Sequence, residues 1–307
     1  MKIYFDKRLA TEIEYESLVK KYKEVEFISD PLRAKEAEVL VPFKPNLVRD
    51  IDLTQYPNLK WIQYFSAGFD DVNIKHIKEH GVMFSNAQDV YSKAIAEDVI
   101  TKILFFNRSV NHYVDSMSKK IWKAASFHKE LTNETVLIMG VGSIGKELAK
   151  RLKAFDMNVI GYRKTLKEED NFDKIITSEV DLNNTIKIAD YIVLALPLND
   201  DTLYMFDKSK LDLMKCDALL INVARGKVVN QDDLYEALLN KRIRGAGLDV
   251  FDPEPLPLDN KLWDLDNVFI TPHNASSSNL MMKNLFNMIA NNLDLYIKGE
   301  AVINRIV

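Results

Sequence analysis

Apolar and polar residues alternate in short blocks along the first ninety residues of the chain. Compact apolar runs are separated by charged stretches with helical spacing, which is typical of strands and helices that follow one another. This alternation predicts a small parallel α/β domain. The runs that we predict as strands are Lys2–Phe5, Glu38–Phe43, Trp61–Phe65 and Val82–Asn86.

A long helical pattern follows, from about Ser92 to Ile121. Its apolar face is formed by Ile95, Val99, Ile103, Phe106 and Val110. We expect a connector helix that leads into a second domain. The pattern does not decide whether this face is buried in a dimer interface or within one subunit.

The remaining chain again alternates apolar runs with helical or loop segments. The predicted strands are Tyr191–Leu196, Ala218–Val223, Gly245–Val250 and Asn267–Thr271, and a last helical segment covers Ser276–Lys298. We therefore predict an α/β protein with two Rossmann-like or flavodoxin-like domains, each with a parallel sheet, and a cleft between them. Residues 1–91 and 276–307 would form the substrate-binding, flavodoxin-like domain, and residues 92–275 the dinucleotide-binding Rossmann domain.

A glycine-rich turn begins the second domain. The apolar run Thr135–Met139 leads into Gly140, Gly142 and Gly145 with G-x-G-x-x-G spacing, and Ile144, Leu148, Leu152 and Phe155 follow at helical spacing. A second apolar run, Asn158–Tyr162, lies at crossover distance. Such a strand, turn, helix and strand bind a pyrophosphate on the free N–H groups at the helix N-terminus. Three glycines near an ordinary turn are the alternative that the motif alone leaves open.

Composition restricts the classes of function. The chain of 307 residues has 47% hydrophobic and 28% charged residues and a net charge of −4, so nucleic acid and anionic membranes are poor partners. No apolar run approaches the ~20 residues that span a bilayer, and we expect a cytoplasmic protein. The single cysteine, Cys216, lies beside a predicted apolar strand and is interpreted as a buried, inert thiol. No metal-ligand spacing is present, and we expect no bound metal ion.

Three predicted strand ends carry an unusual set of side chains. These are Arg225 in N-V-A-R-G, Glu254 in D-V-F-D-P-E-P and His273 in T-P-H. Arginine can hold a carboxylate and polarise a carbonyl, histidine can exchange a proton near neutral pH, and a carboxylate can orient the histidine ring. The set suits hydride transfer to a 2-oxo acid. Each residue alone could also be structural, as a surface arginine, a solvated loop carboxylate or a satisfied histidine.

Together these motifs resemble the D-2-hydroxyacid dehydrogenase family, which includes glyoxylate and hydroxypyruvate reductases. The resemblance covers nearly the whole chain. It rests on F-S-A-G-F-D at Phe65–Asp70, Ala96-Glu97, the glycine turn, Leu196-Pro197-Leu198 with Thr202, Arg225-Gly226, Asp249–Pro255 and Pro272-His273.

The resemblance implies roles for individual residues. Arg225 would bind and polarise the substrate, Glu254 would pair with His273, and His273 would be the catalytic acid and base. The N–H groups of Ala67 and Gly68 would bind the substrate carboxylate, together with Arg225 and His273. The cofactor contacts implied are Gly140, Gly142, Ser143, Ile144, Gly145, Pro197, Thr202, Val223, Arg225, Asp249 and His273, with Asp249 facing the nicotinamide carboxamide.

The cofactor is predicted from the end of the second strand of the nucleotide domain. Relatives that use NAD usually place an acidic residue there, whereas this chain has Arg163, Lys164 and Thr165. A carboxylate would repel a 2′-phosphate, and the basic pair with the hydroxyl can bind it. We therefore predict a preference for NADP(H), with NAD(H) possible. Ordinary loop charge and use of both cofactors are the alternative.

The predicted function is NADPH-dependent reduction of a small 2-oxo acid to the D-2-hydroxy acid, by a homodimer that has small-molecule ligands. A dinucleotide-sensing regulatory protein on the same scaffold is the alternative, because relatives of this family include transcriptional corepressors. A methyltransferase would leave the Arg-Gly and Pro-His motifs unexplained. The sequence does not choose among glyoxylate, hydroxypyruvate, pyruvate and branched 2-oxo acids.

Overall fold

The computed structural model describes residues 1–307, which divide into two units. Unit 1 comprises Met1–Tyr91 and Ser278–Val307, and unit 2 comprises Ser92–Ser277. Each unit is built on one sheet in which every pairing of neighbouring strands is parallel. The predicted α/β class with two parallel sheets is therefore confirmed.

Twelve strands form the two sheets. They are β1 (Lys2–Phe5), β2 (Glu26–Ile28), β3 (Val39–Val41), β4 (Trp61–Gln63), β5 (Met83–Ser85), β6 (Thr135–Met139), β7 (Asn158–Tyr162), β8 (Lys174–Ile176), β9 (Tyr191–Leu194), β10 (Leu219–Asn222), β11 (Gly245–Leu248) and β12 (Val268–Ile270).

Ten α-helices accompany the strands, with short 3₁₀ turns between some elements. They are α1 (Glu12–Lys21), α2 (Asn46–Arg49), α3 (Ile74–Glu79), α4 (Ser92–Asn107), α5 (Val110–Ser118), α6 (Ser143–Lys153), α7 (Glu179–Ile186), α8 (Lys208–Leu211), α9 (Gln231–Leu239) and α10 (Met281–Ile297).

The sheet of unit 1 has the strand order β2-β1-β3-β4-β5. Its two faces are covered by separate apolar clusters, and the buried residues of α10 belong to one of them. Leu285, Ile289 and Leu293 of α10 pack there with Ile3, Phe5 and Trp61 of the sheet. This packing explains why the C-terminal segment belongs to unit 1.

The sheet of unit 2 has the order β12-β11-β10-β9-β6-β7-β8. Along β6, Val136 and Ile138 enter one apolar cluster, and Leu137 and Met139 enter the cluster on the opposite face. A strand that is buried on both faces is continuously apolar, which is the pattern of its sequence. The order of strands reverses direction between β6 and β9, and ligands of such sheets bind beyond the carboxyl ends of strands at this point.

The predicted helix Ser92–Ile121 was wrong as a single element. It is two helices, α4 and α5, because the chain turns at Ser109, whose backbone has a left-handed φ of 52°. On the predicted apolar face, Val99 and Ile103 are buried, whereas Val110 lies after the break and is 38% exposed.

Two other expectations need correction. Cys216 is exposed and not buried, because it lies in the turn before β10 and not inside the strand. Phe155 is 39% exposed, since α6 ends at Lys153 and Phe155 follows it.

No helix has the length and apolar character that a membrane crossing needs.

Candidate active site

The glycine turn between β6 and α6 leaves no room for side chains at two of its three glycines. Gly140 has a left-handed φ of 109°, and a Cβ there would lie 2.5 Å from the carbonyl oxygen of Ala195. A Cβ on Gly145 would collide with the carbonyl oxygen of Gly140. Gly142 differs, because a Cβ there would meet no atom within 4 Å. The turn is tightly packed on the protein side and open above Gly142.

Helix α6 begins directly after this open position. No side chain caps its N-terminus, and the first helical N–H bond runs from Lys146 to the carbonyl of Gly142 over 2.9 Å. The N–H groups of Ser143 and Ile144 precede that bond and lie at the positive end of the helix dipole. The turn and the helix start therefore fit the pyrophosphate of a dinucleotide.

The loop after β9 lies next to this turn. The Thr202 hydroxyl donates to the carbonyl oxygen of Pro197 over 2.7 Å and accepts the N–H of Asn199 at 2.8 Å. Thr202 is buried, so its side chain closes the loop at the carboxyl end of β9. Val223, at the end of β10, is also buried and donates its N–H to Leu194.

The carboxyl ends of β10, β11 and β12 carry Arg225, Asp249 and His273. These strands are direct neighbours in the sheet, and parallel strands end at the same edge. The three residues therefore lie at one edge of the sheet of unit 2.

Arg225 is positioned by its neighbours in N-V-A-R-G. The Asn222 side chain is buried, donates to the carbonyl of Arg225 over 3.0 Å and accepts the N–H of Ala224 at 3.0 Å. A Cβ on Gly226 would collide with the backbone of Phe251. Glycine is therefore required after Arg225, because the backbone after β10 packs against the backbone after β11. This contact places Arg225 beside the loop that carries Glu254.

Asp249 anchors the turn that carries His273. Its Oδ1 accepts the Thr271 hydroxyl at 2.6 Å and the N–H of Asn274 at 3.0 Å, and its Oδ2 accepts the N–H of Ala275 at 3.1 Å. The residue is 3% exposed. Sequence reasoning missed this anchoring role, since nothing in the sequence shows that residues 22 to 26 positions later donate to Asp249.

His273 and Glu254 form a pair. The Nδ1 atom of His273 lies 2.7 Å from Oε2 of Glu254, and Oε1 of the same carboxylate accepts the N–H of Phe251 at 3.0 Å. His273 has a left-handed φ of 49°, and its N–H donates to the carbonyl of Asp249 over 2.8 Å. Non-glycine residues with such φ values often mark functional sites. With Nδ1 engaged, Nε2 is the atom left for a substrate.

The basic residues at the end of β7 are paired with acids. Arg163 Nη1 donates to Oε1 of Glu169 over 2.9 Å, and Lys164 pairs with Asp201. Thr165 is exposed. The sequence indicated the two basic residues and the threonine but not their acidic partners. Nothing in the loop sequence shows which carboxylate folds back onto the end of β7.

In unit 1, Ala67 and Gly68 lie in the loop after β4. The carbonyl of Ala67 accepts from the Asn86 side chain at 2.7 Å, and that of Ser66 accepts the N–H of Ala87 at 3.0 Å. Neither the N–H of Ala67 nor that of Gly68 donates to a backbone carbonyl. This loop is held by its carbonyls, which leaves two N–H donors for an anion.

No group of three or more histidine, cysteine or carboxylate side chains is arranged to hold a metal ion.

The chain is similar to known proteins along most of its length. Residues 100–275 match the model of the D-isomer specific 2-hydroxyacid dehydrogenase, NAD binding domain. The chain is 33% identical over 273 residues to D-3-phosphoglycerate dehydrogenase of Methanocaldococcus jannaschii, a match that covers 89% of this chain but 52% of that protein. Glyoxylate reductase of Thermococcus litoralis is 32% identical over 300 residues, covering 92% of this chain and 90% of the relative.

The fold has close counterparts among solved structures. An NADPH-dependent glyoxylate/hydroxypyruvate reductase from Sinorhizobium meliloti, in complex with NADP and sulfate, has a TM-score of 0.80 and 25% identity. The similarity covers 99% of this chain and 97% of that protein. The chain therefore belongs to the D-isomer specific 2-hydroxyacid dehydrogenases, which are NAD(P)-dependent oxidoreductases.

Proposed function

We propose that this protein reduces a small 2-oxo acid to the D-2-hydroxy acid with NADPH. The observation that carries the proposal is the 2.7 Å contact between His273 Nδ1 and Glu254 Oε2, at the sheet edge that also carries Arg225. The contact leaves Nε2 of His273 to exchange a proton with the substrate oxygen. The bound nicotinamide supplies the hydride.

The roles of the three side chains follow from their chemistry. His273 donates its Nε2 proton to the oxygen of the 2-oxo group, and Glu254 holds the imidazole ring in position through Nδ1. The guanidinium of Arg225 stabilises the negative charge that develops on that oxygen. The N–H groups of Ala67 and Gly68 bind the substrate carboxylate.

The cofactor is bound by the glycine turn and the segments around it. Ser143 and Ile144 offer N–H groups to the pyrophosphate above Gly142. The loop at Pro197 and Thr202 contributes further contacts, together with Gly140, Gly145, Val223 and Asp249. None of these assignments requires a metal ion.

The preference for NADPH over NADH rests on Arg163, Lys164 and Thr165 at the end of β7. The Sinorhizobium meliloti reductase is described as NADPH-dependent, which is consistent with this proposal. Substitution Arg163→Asp is expected to weaken NADPH binding far more than NADH binding, because it replaces an attractive charge by a repulsive one. Equal losses with both cofactors would contradict this assignment.

We also propose a homodimer. Four apolar side chains on α5 and directly after it are exposed, and we propose that a second copy of the chain covers them. They are Val114, Met117, Ile121 and Trp122. Sedimentation at low protein concentration tests the proposal, with dimer expected for the natural chain and monomer for Trp122→Glu. The cytoplasmic location stays a prediction from the sequence.

Loss of nicotinamide absorbance in the presence of 2-oxo acids tests the function. Glyoxylate, hydroxypyruvate, pyruvate and a branched 2-oxo acid form the panel, and turnover of at least one is expected. Quenching of tryptophan fluorescence by NADPH without turnover of any of them would support the sensing protein instead. Absence of binding to either cofactor would overturn both hypotheses.

A further inference from the structure

Glu169 lies in the loop after β7 and gathers three basic side chains. Its Oε1 is 2.9 Å from Nη1 of Arg163 and 3.5 Å from Nζ of Lys167. Its Oε2 is 2.7 Å from Nζ of Lys146. One carboxylate therefore connects the end of β7 to the first turn of α6, the two elements to which we assign the ribose and the pyrophosphate.

The Glu169 carboxylate is well protected from solvent and fully charged. Its side chain is 12% exposed, whereas those of Arg163 and Lys146 are 25% and 46% exposed. The hydrogen bond from Lys146 and the one from Arg163 hold the pKa of Glu169 at about 2, so it is ionised at neutral pH. A negative charge therefore lies against the guanidinium of Arg163, the residue that follows β7.

A carboxylate at this place has opposite effects on the two cofactors. It can accept the ribose hydroxyls of NADH, and it repels the 2′-phosphate of NADPH. It also occupies a nitrogen of the guanidinium that the phosphate needs. The arginine and the glutamate thus act against each other in the choice of cofactor.

We propose that Glu169 is a specificity-determining residue that restrains the preference for NADPH and maintains the use of NADH. The inference rests on the proposed function, because it assumes that the adenosine ribose lies at the end of β7. It identifies the loop carboxylate as the functional replacement for the acid that Arg163 displaces. The chain therefore uses both cofactors, with a modest preference for NADPH.

Glu169 could instead support NADPH binding, and this role predicts the opposite change in NADPH affinity when the carboxylate is removed. If the carboxylate only gathered the basic side chains into a phosphate site, its removal would release them and weaken NADPH binding. If it competes with the phosphate, its removal strengthens NADPH binding. Removal of the charge alone distinguishes these roles, because glutamine keeps the size of the side chain.

The experiment measures the dissociation constants of NADPH and NADH by tryptophan fluorescence, without substrate, in the natural chain and in Glu169→Gln. The matched control is Glu168→Gln, which removes the same charge from the adjacent position, where the side chain is exposed and makes no ion pair. Thermal unfolding of both variants monitors the fold.

Glu169→Gln is expected to lower the dissociation constant of NADPH about fivefold, the size of effect that partly exposed charge pairs give. The constant for NADH should stay the same or rise, and Glu168→Gln should change neither by more than about twofold. Weaker NADPH binding in Glu169→Gln, or a ratio of the two constants equal to that of Glu168→Gln, would overturn the inference. If Glu169→Gln loses stability, the same comparison is made with Glu169→Ala, for which the same signs are expected.

Failure of this inference differs from failure of the proposed function. If the natural chain binds both cofactors and only the predicted change in their ratio is missing, the role of Glu169 is wrong and the reductase proposal stands. If the natural chain binds neither cofactor, the proposed function is overturned and this inference with it.

Discussion

Nδ1 of His273 lies 2.7 Å from Oε2 of Glu254, and the second oxygen of that carboxylate accepts the N–H of Phe251. The glutamate is thus fixed to the backbone on one side and to the histidine ring on the other. This arrangement decides which ring nitrogen is engaged, since only Nδ1 contacts the carboxylate. We expect Nε2 to be the nitrogen that exchanges a proton with the substrate.

Substitution His273→Ala is expected to lower kcat by a factor of roughly 10²–10⁴, the usual contribution of a general acid. The dissociation constant of NADPH should change little, because the nucleotide is held mainly at the glycine turn. Steady-state rates and fluorescence titration measure the two quantities. Loss of cofactor binding in this variant would indicate a structural role for the histidine.

Alanine at two of the glycines should separate stability from cofactor binding. Gly145→Ala places a Cβ against the carbonyl of Gly140, and we expect a loss of about 1–3 kcal/mol in the free energy of unfolding. Gly142→Ala meets no protein atom, so the free energy of unfolding should stay nearly unchanged. The added methyl group would instead occupy the space above the turn and weaken binding of both cofactors.

Chemical denaturation and cofactor titration of the two alanine variants check these expectations. A Gly142→Ala protein that binds NADPH and NADH as well as the natural chain would argue against pyrophosphate binding at this turn.

Asp249→Asn is expected to lower the free energy of unfolding by roughly 1.5–3 kcal/mol, the range for hydrogen bonds to a charged group. The carboxylate accepts from Thr271, Asn274 and Ala275, and an amide nitrogen in its place would face a donor. Asp266→Asn is the matched control, because its side chain is exposed and makes no hydrogen bond. Equal stability of the two variants in denaturant would refute the anchoring role.

The free energy of unfolding at acidic pH should depend on Glu36. Hydrogen bonds from Arg33 at 2.8 Å and Lys2 at 2.7 Å hold the pKa of Glu36 at about 2 in the folded chain. Its value in the unfolded chain is about 4.3. A lowered folded pKa gives stability that is fully present above the unfolded pKa and is lost as the pH falls toward the folded one.

The difference in free energy of unfolding between the natural chain and Glu36→Gln should therefore be constant from pH 7 to about pH 5. It should shrink as the pH falls from about 4.3 to about 2. Denaturation series across this range measure it, with Glu24→Gln as the control because that side chain is exposed and unpaired. A difference that does not change between pH 5 and pH 2 would contradict the paired state of Glu36.

The sequence predicted most of the sheets because their central strands are buried on both faces and are continuously apolar. β6 and β9 are such strands. It missed β2 and β8, which are edge strands of three residues each, with a lysine or glutamate at the first position. Each of these two strands has only two consecutive apolar residues after its charged residue, whereas the edge strands β5 and β12, which were predicted, lie in runs of three apolar residues, Val82–Phe84 and Val268–Ile270.

The proposed catalytic residues were predicted from their places in the chain rather than from an apolar pattern. Arg225, Glu254 and His273 each follow a strand of the sheet of unit 2, and parallel topology brings the ends of neighbouring strands to one edge. The partners of Asp249 and Arg163 were not predictable, because they depend on how loops turn back after a strand. The break between α4 and α5 was also hidden, since the apolar spacing continues through Ser109 although the backbone does not.

The most direct test of the account is the configuration of the product. The natural chain is incubated with NADPH and each member of the 2-oxo acid panel, and chiral chromatography separates the D- and L-2-hydroxy acids formed from the substrates that give a chiral product. We expect the D-acid to form as NADPH is consumed, and almost none to form with His273→Ala. Formation of the L-acid, or an equal rate in His273→Ala, would contradict it.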